Sequence, residues 1–457
     1  METENFSLIE RFNNWVKESV MLKLISIGFL VLVLLIPSSW IQSLIQERQT
    51  RANDVIHEIS NKWSDSQTLT GPVIIIPFTK YDKVKTWDKG IAHEEMVESV
   101  HQAYFLPEDL SIEGSVSPQT LHRGIFEAVV YDSKINMKAA FGNLSFEKWN
   151  VPDEQVHWKE AVMITGITDL RGISENPLVH ATDKVLISEP SSDLKLTKDE
   201  SVSSRGIVSN LNWSNRADVT SNYAIDLQLK GSEKLYFVPA GKTTNVKLSG
   251  NWPSPSFDGQ LLPTTRDVSE KKFNATWKVL SFNRPFSQQW IDQEQSLSGS
   301  EFGVSLLIPA DEYQKSIRTA KYGVLIIILA FTALFLVEIT AKVRIHPFQY
   351  ILIGAALIIY YSLLLSFSEH IGYNAAYAVA SIATVILLAL YSTTFLMKKS
   401  LTVLFTLLMS VFYVFIFVII QAEDFSLLIG SLGLFLIIAV IMYFSRKVKW
   451  YKEEITN

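Results

Sequence analysis

Cysteine is absent from all 457 residues. That removes thiol nucleophiles, cysteine-ligated zinc, iron–sulfur clusters and disulfides at once. It does not fix a compartment, because an envelope domain can dispense with disulfides. Basic charge is not in excess either, with 41 Lys and Arg against 46 Asp and Glu, a net charge of −5 and an isoelectric point near 6.0. The totals give no broad basic face for phosphates, so no nucleic acid is expected as a partner. Walker A loop, G-x-S-x-G elbow, H-E-x-x-H and dinucleotide fingerprint are all missing. The chain therefore reads as a protein without a catalytic centre and without a cofactor.

Apolar residues are plentiful: 48% of the chain is hydrophobic against 19% charged, with a mean hydropathy of +0.19. These values suit a membrane part joined to a water-exposed part. A helix crosses a hydrocarbon core of about 30 Å with about 20 residues at about 1.5 Å each. Six stretches qualify: Leu24 to Ile45, Tyr322 to Ala341, Phe348 to Phe367, Tyr373 to Met397, Leu401 to Ile420 and Phe425 to Phe444. The first is interrupted by Pro37, Ser38 and Ser39, and its central run has the length of a signal-peptide core. No small-x-small cleavage pattern follows and a helical stripe continues through Val55, Ile56, Ile59 and Trp63, so it reads as a retained anchor.

Positive residues in the short connections set the expected orientation. Arg11, Lys17 and Lys23 precede the first span; Lys342 and Arg344, then Lys398 and Lys399, lie in alternate loops; Arg446, Lys447, Lys449 and Lys452 follow the last span. The other short loops, Ser368-Glu369-His370 and Glu423-Asp424, carry no Lys or Arg. Both termini are thus expected in the cytoplasm and the long segment between the first two spans outside it.

The expected organisation is a cytoplasmic segment over 1–23 with an amphipathic helix, a transmembrane helix over 24–45 and a β-rich periplasmic domain over 46–320. Transmembrane helices two to six follow over 321–445, with a cytoplasmic tail over 446–457. The fold class is membrane α+β. Within the domain, Gly71-Pro72 is expected to end the first helix, and Val73 to Ile76 reads as a strand bounded by Pro77. Further short strands are expected at Ala103 to Leu106, Ile125 to Tyr131, Ala161 to Ile167, Tyr223 to Leu229, Lys234 to Val238, Asn245 to Leu248, Ala275 to Phe282 and Phe302 to Ile308. Glu189 to Arg205 reads as a mobile loop or a break between subdomains, and Asp311 to Lys321 as a linker.

Few residues suggest chemistry. His93, Glu94, Glu95, Glu98 and His101 could bring metal ligands together, but such a polar run fits a solvated loop better. His122-Arg123 and Asp169 with Arg171-Gly172 read as turn and strand-end contacts. The run Phe282-Asn283-Arg284-Pro285-Phe286 with Gln288, Gln289 and Trp290 offers a recognition surface or, more simply, a loop packed under a sheet. Sequons stand at Asn143, Asn212 and Asn274. Within the later spans the only acidic residue is Glu338, near Lys342, which speaks for a paired or snorkelling role and against a proton-driven pump.

Several of these stretches together resemble the CreD family of bacterial inner-membrane, cell envelope integrity proteins. They are Leu34-Leu35-Ile36-Pro37, Glu47-Arg48, Thr70-Gly71-Pro72, His122-Arg123-Gly124-Ile125-Phe126, Asp169-Leu170-Arg171-Gly172, Asn283-Arg284-Pro285-Phe286 with Gln289-Trp290, and Arg344-Ile345-His346-Pro347, in that order along the chain. The resemblance implies an anchor, a periplasmic domain and a helix bundle, with a role in envelope integrity and stress response. It also implies expression under a two-component regulatory system, and it brings no catalytic residues. The expected partners are the lipid bilayer and an envelope protein or cell-wall component, bound by the periplasmic domain. The alternative is a membrane enzyme or carrier acting on a lipid-linked or cell-wall substrate.

Overall fold

The structure, a computed structural model, describes residues 20–88, 91–182, 184–196, 204–292, 294–306, 312–341, 343–396, 398–422 and 425–446, with the side chains at 20, 82, 84–95, 444 and 445 outside that description. Of the expected N-terminal segment 1–23 and tail 446–457, residues 1–19 and 447–457 therefore lie outside the described residues. The chain divides into a unit Asp54–Pro309 and a unit formed by Met1–Asn53 with Ala310–Asn457. Among the described residues six helices are long and apolar enough to cross a membrane: Met21–Trp63, Glu312–Ala341, Pro347–Ile371, Tyr373–Leu396, Lys399–Gln421 and Ser426–Tyr443.

The first of these belongs to α1 (Val20–Trp63), 44 residues long and unbroken through Pro37. At about 1.5 Å per residue it measures about 66 Å, more than twice a hydrocarbon core. It stops at Trp63, earlier than Gly71-Pro72, because Gln67 onward is already strand: β1 (Gln67–Asp88) runs through Gly71, Pro72 and Pro77. Its register against the neighbouring strand shifts between Thr70 and Val73, an irregularity that lets a Gly-Pro pair sit inside a sheet rather than end an element.

The β-rich unit is built from two sheets. The first joins β1, β2 (Ile91–Phe105), β5 (Val162–Ile167), β8 (Ser188–Ser191), β9 (Gly206–Asn210), β11 (Lys234–Phe237), β13 (Pro255–Gly259), β16 (Gln289–Ile291) and β17 (Phe302–Leu306). Its main path runs β13-β17-β11-β1-β5-β9-β8, with β2 on β1 and β16 on β2. The second sheet orders β14 (Thr265–Val268), β15 (Phe273–Leu280), β12 (Thr243–Gly250), β3 (Asp109–Arg123), β4 (Phe126–Ala140), β10 (Asn222–Ser232), β6 (Leu178–Ala181) and β7 (Lys184–Leu186) as β14-β15-β12-β3-β4-β10-β6-β7. Among the described residues only β1 with β11 and β12 with β3 pair in parallel.

Both sheets feed one core through strict alternation. Along β15, Phe273, Ala275, Trp277 and Val279 are buried while Asn274, Lys278 and Leu280 are exposed, the period-2 pattern of a half-buried strand. Trp277 lies 5.7 Å from Phe302 of the other sheet and 5.8 Å from Phe257. The chain enters at Gln67 and leaves at Leu306 on the same end of the first sheet, because Gln67 pairs with Leu235 and Leu235 with Val304. Only β11 separates entry from exit.

Three expectations are corrected. The strands are fewer in the reading than in the fold, since β3 and most edge strands escaped it and the pair β1–β2 is far longer than the two short strands expected. Part of the presumed loop Glu189 to Arg205 is strand β8, while 197–203 lies outside the described residues. The supposed linker is a helix, α2 (Glu312–Lys321), which buries Ser316, Thr319 and Ala320 with Tyr313 and Ile317 packed against the bundle core, an apolar stripe too short to stand out in the sequence. Its acidic start at Glu312 and basic end at Arg318 and Lys321 suit the helix dipole.

Beyond the bridge Phe78↔Val156, β1 and β2 continue as a two-stranded ribbon from Thr79↔Val100 to Asp88↔Ile91, with no further strand partner among the described residues. Tyr81, Met96 and Val100 are exposed on one of its faces. A lone two-stranded ribbon adds little stability of its own. Replacing residues 81–98 by an Asn-Gly turn is expected to move the melting temperature of the detergent-solubilised protein by no more than about 3 °C; a much larger drop in the thermal melt would show that the ribbon packs on the body.

Candidate functional site

The residues singled out in sequence resolve into three structural clusters and one open surface. The first cluster forms where α1 meets the sheets. Asp169 is 4% exposed and accepts from the Asp65 amide at 3.0 Å, the Arg171 amide at 3.0 Å, the Arg171 guanidinium at 2.7 Å and the Ser64 hydroxyl at 3.3 Å. Burial pushes its carboxyl up, but the Arg171 side chain and the two backbone amides outweigh that and hold it at about 2. Arg171 also donates to the Asn61 carbonyl at 2.8 Å, one of the last carbonyls of α1 that lack a helical partner. The Gln67 amide donates to the carbonyls of Asp169 and Lys230 at 2.8 and 3.0 Å. At Gly172 a Cβ would lie 2.3 Å from the Lys230 carbonyl, so only glycine fits. This knot holds the helix end on the sheet and uses every strong acceptor of Asp169 in doing so.

The second cluster is the Arg284 loop. Arg284 is 7% exposed, donates to the carbonyls of Phe286 and Ser287 at 2.5 and 3.3 Å and to the Gln288 side chain at 2.6 Å, and lies 4.4 Å over the Phe286 ring. Burial without a carboxylate partner lowers its guanidinium to about 10. Gln288 in turn donates to the carbonyls of Leu106 and Pro107 at 2.8 and 2.6 Å. Trp290 is buried and stacks on Tyr104 at 5.2 Å. The packed-loop reading therefore holds for Arg284, Phe286 and Trp290; Phe282 alone is fully displayed, 95% exposed.

Of the suspected metal ligands, His101 and Glu98 have described side chains. His101 bonds Asp292 at 2.7 Å and Ser99 at 2.9 Å, Glu98 is exposed on the ribbon, and the side chains of His93, Glu94 and Glu95 lie outside the described residues. Among the described residues no group of three or more His, Asp or Glu could hold a metal. His122 contacts Glu127 at 3.0 Å and Arg123 contacts Glu58 at 2.5 Å, exposed strand-end pairs of small energetic weight.

The third cluster lies in the helix bundle formed by α3 (Gly323–Ala341), α4 (Pro347–Ile371), α5 (Tyr373–Leu396), α6 (Lys399–Gln421), α7 (Ser426–Ser445), α2 and the first part of α1. Glu338 is 5% exposed and pairs with Lys23; it also accepts from the Ile345 amide at 2.8 Å and the Tyr350 hydroxyl at 3.2 Å. The paired role expected for Glu338 is thus met by Lys23 of the first span, while Lys342 lies outside the described residues. The contact places the start of the first span and the end of the second at one end of the bundle, as an even count of spans requires. His346 caps α4 by accepting from the Phe348 amide at 3.2 Å, with Pro347 in the first turn.

The open surface is the outer face of the second sheet, which sequence reasoning missed because its residues come from six strands and form no motif. Two neighbouring depressions of about 730 and 500 Å³ lie on it. Paired positions form rows across the strands, such as Thr276, Lys247, Glu113, Asn136 and Asp226. Asn136 donates to Asp226 at 2.6 Å, Gln228 to Glu175 at 2.8 Å, and Lys247 reaches Glu113 at 3.4 Å.

Six membrane-length helices with a two-sheet β-rich domain between the first and second define a polytopic membrane protein of unusual make-up, in which the buried charges are structural. Comparison with known proteins narrows the class. The pattern described as Inner membrane protein CreD matches residues 19–451, and Inner membrane protein CreD of Escherichia coli (strain K12) is 31% identical over 442 residues, 95% of this chain and 94% of that protein. The chain belongs to the CreD family of inner membrane proteins.

Proposed function

We propose that the β-rich domain faces outward, that both termini are cytoplasmic, and that the protein supports envelope integrity and the envelope stress response by binding an envelope component rather than by catalysis. The observation that carries the binding reading is that Asp169, Arg284 and Glu338 in the interior bond groups that hold elements together, whereas the outer face of the second sheet presents polar groups over two contiguous depressions. The orientation is supported by Arg344, Lys398, Lys399 and Arg446 in alternate connections. Expression under a two-component system is part of the same proposal.

The cysteine-free chain makes the orientation directly testable. Ser117→Cys, on the exposed part of β3, is expected to react with a membrane-impermeant maleimide in intact spheroplasts. Ser400→Cys, exposed in the first turn of α6, is expected to react only after permeabilisation. The opposite pattern sinks the outward assignment. Cells lacking the protein are expected to be more sensitive to envelope-directed agents, with resistance restored by the wild-type chain.

A further inference from the structure

We propose that the outer face of the eight-stranded sheet binds an uncharged oligosaccharide rich in hydroxyl and amide groups, laid across the strands. The proposal rests on the binding reading above and names the chemical class of ligand.

The size of the surface points to a chain rather than a single small molecule. The depressions extend from β15 through β12, β3, β4 and β10 to β6, five strand spacings or about 24 Å. Their chemistry is that of mixed donors and acceptors. Ser111, Asn136, Gln228, Asn245, Ser249 and Thr276 are half-buried, so their hydroxyls and amides line the floor of the surface and are presented with little side-chain freedom left to lose.

Charge selects against ionic ligands. The lining Lys134, Lys138 and Lys247 are balanced by Asp109, Glu113, Glu175 and Asp226, with Lys247 next to Glu113 and His180 3.8 Å from Asp226. With three lysines interspersed among four carboxylates, such a surface has too weak a net field to attract a polyanion or a polycation. No aromatic anchor is offered either, since the rows present only aliphatic carbon and the one lining tyrosine, Tyr223, is buried on the opposite face of β10. Protein partners are held by buried aromatic and arginine anchors, and extended peptides add to sheet edges. Neither feature occurs on this face. A neutral ligand that both donates and accepts hydrogen bonds at many points is what remains, and it can exchange its own groups for weak contacts such as Lys247 to Glu113.

The test uses the full-length protein in phosphatidylcholine nanodiscs, which avoids sugar-headed detergents, titrated calorimetrically with chitohexaose and, as a polyanion control, dextran sulfate. Saturable chitohexaose binding with a Kd of about 1 mM or tighter is expected. It should weaken about tenfold or more in the double variant Asn136→Ala/Asn245→Ala and be blocked in Ser249→Trp, whose ring fills the depression, with Phe282→Ala unchanged. No saturable binding, tighter binding of dextran sulfate, or binding indifferent to both face variants overturns the assignment. The same variants are tested for restoring resistance in cells lacking the protein: normal restoration together with absent chitohexaose binding removes the glycan but leaves the envelope-binding reading, whereas inward labelling of Ser117→Cys removes that reading whatever the titration gives.

Discussion

Asp169→Ala is expected to unfold the β-rich domain at much lower temperature than wild type, with a loss on the order of 3 kcal/mol from hydrogen-bond donors that lose their acceptor. Removing the carboxylate strands the Asp65 and Arg171 amides and the Ser64 hydroxyl, and it frees the guanidinium that ties the Asn61 carbonyl. Thermal unfolding of the solubilised protein checks this, and a shift of under about 2 °C would mean that water replaces the knot without penalty. The pH dependence has a definite sign. The folded carboxyl sits at about 2, below its unfolded value of about 3.9. The stabilisation is therefore fully present above about pH 4 and is lost as pH falls from there towards 2. Asp169→Ala should flatten that acid limb, and Asp169→Asn, which keeps the shape but not the charge, should flatten it as well.

Glu338→Ala is the second large effect, on the order of 3 to 5 kcal/mol, because one partner of a buried pair is removed and the other is left uncompensated. Lys23, the Ile345 amide and the Tyr350 hydroxyl all lose their acceptor. The double variant Lys23→Met/Glu338→Met is expected to recover a large part of the loss, since a pair replaced by packed apolar groups is often nearly neutral. The residue of the loss belongs to Ile345 and Tyr350. Heat-induced aggregation of the solubilised protein reads both variants; equal losses in the single and the double variant would show that the ion pair is not what joins the first, second and third spans.

The contrast between these two sites explains what was legible in the sequence. Six apolar runs declare themselves because a bilayer imposes one length and one composition on every helix. The strands with clean alternation, such as β10 and β15, were legible for a similar reason. The long strand through Gly71-Pro72 was not, because breaker residues inside a strand depend on a local bulge that composition does not announce. Helix α2 offers only Tyr313, Ile317 and Ala320 as an apolar stripe, too short to stand out among its charges. At the sites, Glu338 was recognisable as a paired group because an acid within a span is rare, but its partner Lys23 lies 315 positions away, beyond any pattern in the chain. The glycine at 172 and the arginine at 171 were visible only as a turn, since their meaning comes from the distant Asn61 and Lys230. The outer sheet face was invisible altogether: a surface assembled from six strands has no local signature.

The neighbouring entry and exit of the domain carry a consequence for the order of events in its biogenesis. The strand that begins the domain, β1, is flanked by β11, and β17 joins β11 to the edge strand β13, so until the last strand arrives β13 has no partner and β11 keeps an open edge. No early portion can close that sheet alone. With the outward orientation, the segment must cross the membrane as an open chain and acquire its structure after delivery, its unpaired strand edges exposed in the interval. A chain stalled before Phe302 would hold a complete first span, an unsealed sheet and no second span, and would be expected to be a preferred substrate for quality-control proteases on the far side of the membrane.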